Sequence, residues 1–379
     1  MQPTVLATTE RGTARGEARP LHARAPGRAS VIDLHSDTQT RPTGAMRAAM
    51  AGAAVGDEQA GEDPTTLALC ERVAALLGME GGVFMPSGTM CNLAALLVHT
   101  RPGDELICDA QAHIVGTEAA GAAALGGVAV RTIASPHGVF EARQVREAVR
   151  APSRTAPRSA LLVVEQTTFS GGAVWPLAQL RAVRDAAREA GLRCHIDGAR
   201  LLNACAASGV AAAEHVAGWN SAWLDLTKGL GCPVGAVLCG DADFIERAWQ
   251  WKYRLGGAMR QSGIVAAAGL HALDHHVERL ADDHANARLI WRALSASGLF
   301  RFDPAPPESN ILRFALLAPQ PAASDYAARC LRAGVRVRVI DGGFLRATTH
   351  LDVSAADAAR AAETMLAVAR QIVSGSAAD

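Results

Sequence analysis

From residue 31 onward, short apolar runs of strand length recur along the chain: DELICD (104–109), VAVRTI (128–133), ALLVVE (160–165), LRCHID (192–197), SAWLDL (221–226) and VGAVLCG (234–240). Helical segments lie between several of them. The clearest is LAQLRAVRDAAREAG, with apolar residues at helical spacing and a glycine stop at Gly191. Strands alternating with helices predict an α/β fold whose mostly parallel sheet is covered on both faces. Ligands of such sheets gather at the carboxyl ends of the strands. The HID of 195–197, the TTFSGG turn of 167–172 and Lys228 would all fall there.

Beyond about residue 280 the pattern changes. A long helix (HVERLADDHANARLIWRALSASG) is followed by strand-like SNILRFALL and VRVRVI, which predicts a smaller C-terminal α+β domain. The expected organisation is a large domain with an N-terminal arm over 31–280 and a small domain over 281–379. Residues 1–30, rich in Arg, Ala, Gly and Pro and without an apolar core, read as a disordered extension and not as a secretory signal.

Composition narrows the function. The chain has 379 residues, 49% of them hydrophobic, which is enough for a sizeable core. Its 37 basic and 37 acidic residues cancel, so no broad charge favours nucleic acid or an anionic membrane, and small-molecule chemistry is expected. No apolar run reaches the roughly 18 residues of a membrane span. The eight cysteines, at 70, 91, 108, 194, 205, 232, 239 and 330, form no CxxC pair and sit mostly in apolar runs; a reduced, cytoplasmic setting without bound metal fits.

Three short stretches carry chemistry. Lys228, in WLDLTKGLGCPVGAVLCG, stands between an apolar run and a glycine-rich turn. Desolvation of a lysine favours the neutral amine, the form that makes a Schiff base; a surface loop lysine is the plainer alternative. Asp197, in CHIDGARLLNA, ends an apolar strand. It suits either a pyridinium nitrogen or a turn before Gly198. Ser87, Gly88 and Thr89, in FMPSGTMCN, open a helix whose free amides favour a phosphate.

In this order the three stretches resemble the fold type I pyridoxal phosphate enzymes, and within them the threonine aldolase family of β-eliminating lyases. The resemblance covers nearly all of 31–353. It includes DLHSDTQTRPT, VGDEQAGEDPTTLALCERVAALLG, HIVGTEAAGAA, HIDGARLLNA, TKGLGCPVGAVL, LGGAMRQSGIVAAAGLHAL and THLDVS.

The resemblance implies that Lys228 is the Schiff-base lysine and that Asp197 lies beneath the pyridine nitrogen. It implies that Arg200 adjoins cofactor and substrate, that Ser87, Gly88 and Thr89 hold the phosphate, and that Arg260 reaches a phosphate across a subunit interface. It places His113 against the cofactor ring, and gives Ser36 and Arg346 the substrate carboxylate. The implied reaction is cleavage of an L-β-hydroxy-α-amino acid of the threonine type to glycine and an aldehyde, by a homotetramer or at least a homodimer. A transaldolase, a β-eliminating lyase and a catalytically silent pyridoxal phosphate-binding protein are the alternatives.

Some positions depart from the family pattern. Thr168 stands where a histidine is usual in ENTHN; it can hydrogen-bond the substrate but cannot be a base near neutral pH. His35 and Gln39 interrupt the usual DLRSDTVT, the first altering charge beside the carboxylate clamp, and Ala258 replaces a frequent glycine. His271, His275 and His276 share one predicted helix, where a solvated face is a simpler reading than a metal pair. His195 reads as a packed histidine, and Trp249 and Trp251 as anchors or a subunit contact.

Overall fold

The computed structural model describes residues 31–317 and 323–374; the expected N-terminal extension lies outside the described residues. In chain order the strands are β1 (Ile32–Asp33), β2 (Gly81–Met85), β3 (Asp104–Asp109), β4 (Ala129–Ile133), β5 (Arg158–Glu165), β6 (Arg193–Asp197), β7 (Ser221–Asp225) and β8 (Ala236–Gly240). They continue with β9 (Phe300–Phe302), β10 (Ile311–Leu316), β11 (Val335–Arg336), β12 (Arg338–Val339) and β13 (Leu345–Thr348).

Seven of them form one sheet in the order β2-β8-β7-β6-β5-β3-β4. The pairs from β7 through β6, β5 and β3 to β4 are parallel, and β8 runs antiparallel to both neighbours. Every residue of β3, β7 and β8 is buried, as a sheet covered on both faces requires. All six predicted runs lie in this sheet. Its remaining strand, β2, begins with Gly81 and Gly82 and has no alternation to read. The helix Leu177–Glu189 ends just before left-handed Gly191, as its spacing predicts.

A second sheet, β12-β13-β10-β9, is antiparallel. Its core joins Leu312, Phe314, Leu345 and Ala347 to Ile290 and Leu294 of the helix Leu280–Ser295 and to Met365 of the helix Ala355–Val373. The single run VRVRVI is divided between two sheets: β11 pairs in parallel with β1, while β12 joins β13. Leu34, from the N-terminal arm, is buried in this smaller core. From Val31 on, the chain forms one compact unit containing these separate cores.

Candidate active site

Three neighbouring parallel strands end in carboxylates: Glu165 on β5, Asp197 on β6 and Asp225 on β7. Beside them opens a cavity of about 430 Å³, lined by Lys228, His113, Asp197, Arg200, Ser36 and Arg346 and by the Ser87–Thr89 turn. Lys228 has φ +50, a left-handed backbone that a non-glycine residue seldom adopts and that costs energy to hold. Its carbonyl accepts the Thr40 hydroxyl at 2.8 Å. Its Nζ lies 2.7 Å from Asp225 Oδ2 and 5.6 Å from the centre of the Trp223 ring.

Trp223 also floors the Ser87–Thr89 end of the cavity. A Cβ on Gly88 would stand 2.3 Å from its ring, so only glycine lets the helix Gly88–His99 start this close. Ser87 caps that helix by accepting the Met90 amide at 3.2 Å. The amides of Gly88 and Thr89 precede the first intrahelical bond and are left for an anion. Gly198 is equally constrained, since its Cβ would meet the Trp223 carbonyl oxygen at 1.7 Å.

Asp197 is held by two donors: the Ala199 amide at 2.9 Å and Asn92 Nδ2 at 2.8 Å. Asn92 Nδ2 also donates to Glu118 Oε1 at 2.7 Å, and Asn92 Oδ1 accepts Trp223 Nε1 at 2.7 Å. Glu118 Oε1 in turn lies 2.7 Å from His113 Nδ1. A carboxylate at Nδ1 selects the tautomer protonated there, which leaves His113 Nε2 as the acceptor of the neutral ring. Glu165 accepts the amides of His113 (2.5 Å) and Phe169 (2.8 Å). Burial, and next the Asp197 charge, push the Glu165 carboxyl well above its ordinary range. Behind this layer His195 bonds Ser221 Oγ at 2.7 Å, and burial pushes its pKa down to about 3.

The opposite end is cationic. Arg346, on β13, is buried, and its Nε has no hydrogen-bond partner. Burial, and next the Arg200 charge, lower its pKa to about 10. An unpartnered buried guanidinium facing a cavity is the complement of a carboxylate. Arg200 also lines the cavity, but its Nε and Nη2 are each 2.7 Å from Asp37 oxygens. Burial pushes the Asp37 carboxyl up, yet the Arg200 guanidinium prevails and holds it well below the usual carboxylate range. Ser36 Oγ accepts the Thr38 hydroxyl at 2.9 Å and faces the same end. Thr167 lines the cavity with a buried hydroxyl that has no partner.

Residues 33–316 match the family model described as beta-eliminating lyase. The chain belongs to this family. Among its relatives, the low specificity L-threonine aldolase of Escherichia coli (strain K12) is 40% identical over 327 residues, 86% of this chain and 95% of the relative. Low-specificity L-threonine aldolase 1 of Arabidopsis thaliana is 39% identical over 286 residues, 74% of this chain and 80% of the relative. A solved threonine aldolase of Leishmania major superposes with a TM-score of 0.77 at 20% identity, over 89% of this chain and 99% of that one. Sphingomonas wittichii serine palmitoyltransferase does so with 0.72 at 16% identity, over 91% and 88%. These likenesses give the beta-eliminating lyase chain the fold type I architecture.

Two residues expected at the site lie outside the cavity. Thr168 is corrected: its side chain is committed to the turn, accepting the Ala173 amide at 3.1 Å and lying against Gly138, while Thr167 and Phe169 face the cavity. Arg260 is exposed and pairs with Asp57 at 2.8 Å, away from the cavity of its own chain. The rings of His271 and His275 are 4.5 Å apart, and no group of three or more metal-ligating side chains gathers among the described residues. Lys252 Nζ lies over the Trp249 ring at 4.5 Å, and Arg254 over Trp251 at 4.9 Å. No helix among the described residues is long and apolar enough to cross a membrane. All eight cysteines are free.

Proposed function

We propose that this beta-eliminating lyase cleaves L-β-hydroxy-α-amino acids of the threonine type to glycine and an aldehyde, using pyridoxal 5'-phosphate. The observation that carries the reading is Arg346: a buried guanidinium without a partner, in the same cavity as Lys228 and Asp197. The residues present fit the cofactor. Lys228 would hold its aldehyde carbon, Asp197 its ring nitrogen, and Ser87, Gly88 and Thr89 its phosphate. Bound there, the group supplies an electron sink for the pair released when Cα–Cβ breaks.

The chain's own side chains supply the rest. Arg346 and Ser36 would fix the substrate carboxylate and so orient the scissile bond. His113 Nε2 would take the β-hydroxyl proton, and Glu118 at Nδ1 would stabilise the resulting imidazolium. Arg200 acts through Asp37, holding the arm that carries Ser36. Asp225 keeps the Lys228 amine beside the reacting centre. With Thr168 turned into its own loop, the substituted position gives no support to a transaldolase or a silent binding protein.

Arg260 fits service to a phosphate from a neighbouring copy, which makes the active unit at least a dimer and, by the family resemblance, a tetramer. The division into 31–280 and 281–379, and a cytoplasmic location, belong to the same proposal. The test is release of glycine and aldehyde by the cofactor-loaded protein from threonine, allo-threonine and phenylserine. A coloured, folded protein that releases neither product from any of them would overturn the reading.

A further inference from the structure

Three arginines stand in one row across the small sheet. Arg338 on β12 and Arg313 on β10 are both direct cross-strand partners of Arg346 on β13. Directly paired residues point to the same face, and like charges placed opposite one another repel unless an anion joins them. Arg313 has its anion, for its Nη1 pairs with Asp303 and its guanidinium lies 3.7 Å from the centre of the Phe344 ring. Among the described side chains neither Arg338 nor Arg346 forms an ion pair with a carboxylate, and Arg346 Nε has no hydrogen-bond partner at all. The α-carboxylate of an amino acid requires only one of them.

Arg338 lines the active-site cavity and also an adjoining one of about 490 Å³. The two cavities share Phe169, Arg338 and Arg346, and the second is further bounded by Gln111, Ser170 and Phe344. Among the described side chains no Asp or Glu lines the adjoining space. Ser170 adds a buried hydroxyl without a partner. His35, the residue found where the family pattern has arginine, lies close enough for the charges of Arg336 and Arg338 to lower its pKa, after burial, so it adds no cation of its own near neutral pH. Arg338 therefore stands as a surplus guanidinium beside Arg346, shared between the active-site cavity and an adjoining one that the Ser87–Thr89 turn does not line.

We infer that Arg338 is a specificity residue, and that the adjoining cavity takes a negatively charged β-substituent, so the favoured substrates are β-hydroxy-α-amino acids with a side-chain carboxylate. The inference rests on the aldolase reading above. For 3-hydroxyaspartate the Cα–Cβ bond breaks, the β-hydroxyl gives up its proton, and Cβ becomes the aldehyde carbon of glyoxylate. Cα keeps the electron pair and takes a proton to give glycine, so all atoms are accounted for.

The test is glycine release by the cofactor-loaded full chain from 3-hydroxyaspartate and from threonine. Wild type is expected to favour 3-hydroxyaspartate in kcat/KM. Arg338→Met should lower that value by about 10- to 100-fold, the worth of a charged hydrogen bond. Threonine cleavage should change by less than about threefold, and Arg338→Lys should keep part of the preference. An unchanged substrate ratio in Arg338→Met overturns the inference, and an equal loss on both substrates does too, because it assigns Arg338 to the α-carboxylate. A measurement on wild type needs no variant: L-aspartate should inhibit threonine cleavage about tenfold more tightly than L-2-aminobutyrate, and equal inhibition counts against the inference. Glycine from neither substrate, nor from phenylserine, would overturn the aldolase reading and this inference with it; threonine cleavage without an acidic preference overturns the inference alone.

Discussion

Lys228 Nζ and Asp225 Oδ2 lie 2.7 Å apart, three residues from each other across the end of β7. The left-handed backbone at Lys228 and the bond from Thr40 to its carbonyl aim the amine at that carboxylate. Lys228→Ala should leave a folded protein that no longer attaches the cofactor covalently. Borohydride treatment followed by mass spectrometry checks this, and reduced cofactor on any other lysine would reassign the amine.

Arg346→Met should raise KM for threonine and lower kcat/KM by about 10- to 100-fold, through loss of a charge-assisted carboxylate contact. Arg200→Met should act differently. It leaves Asp37 buried without its cation, so thermal stability should fall together with activity. Steady-state kinetics beside melting curves separate the two cases, and unchanged stability in Arg200→Met would contradict a supporting role.

His113→Ala should cost about 10²- to 10⁴-fold in kcat at saturating cofactor, the range typical of a general base. Thr168→Ala should change kcat little and lower stability by about 1 kcal/mol, from the lost bond to the Ala173 amide. Thr168→His puts an imidazole beside Gly138, so close that a Cβ built on that glycine would stand 3.0 Å from the Thr168 Cβ, and it should destabilise by about 1–3 kcal/mol without adding a base. A gain in aldol cleavage from that substitution would show that the turn can open toward the substrate.

Buried histidines set part of the acid response. Burial takes His195 from 6.5 to about 3 and His284 to about 4, so the unfolded chain binds protons that the folded one refuses. Stability from these groups is complete above about pH 6.5 and declines as pH falls toward 3. Asp37, held low by Arg200, adds a loss in the same direction below the ordinary carboxylate range. Glu165 and Asp283, whose carboxyls burial pushes up, work in the opposite sense between pH 7 and pH 4, so the check is the difference between variants. His195→Asn should lose less melting temperature than wild type over that range, and an identical slope would remove His195 from the account.

The strand-end rule that singled out Asp197 was available for Glu165 and Asp225 as well, because DLTK and VVEQ close apolar runs in the same way. Asn92 and Glu118 were out of reach. They meet Asp197 and His113 through a helix face and a loop, and no spacing in the chain announces that meeting. Thr168 shows the opposite difficulty. Its position in the motif was plain, but a single turn hydrogen bond decides which way its side chain points. The reversal of β8 and the division of VRVRVI between β11 and β12 likewise depend on partners distant in sequence, which periodicity cannot register.

The pairing of β1 with β11 joins residues about 300 positions apart, the separation of the Asp33–Arg336 ion pair being 303. A growing chain that emerges from its N-terminus therefore displays Ser36 and Asp37 long before β11 exists to seat them. Lys228, the three strand-end carboxylates and the Ser87–Thr89 turn all precede residue 241, whereas Arg346 and the partner strand of the Ser36 arm come about 100 residues later. A chain cut before β11 would lack both Arg346 and the strand against which the Ser36 arm is seated, so this end of the cavity is the last to be completed in chain order.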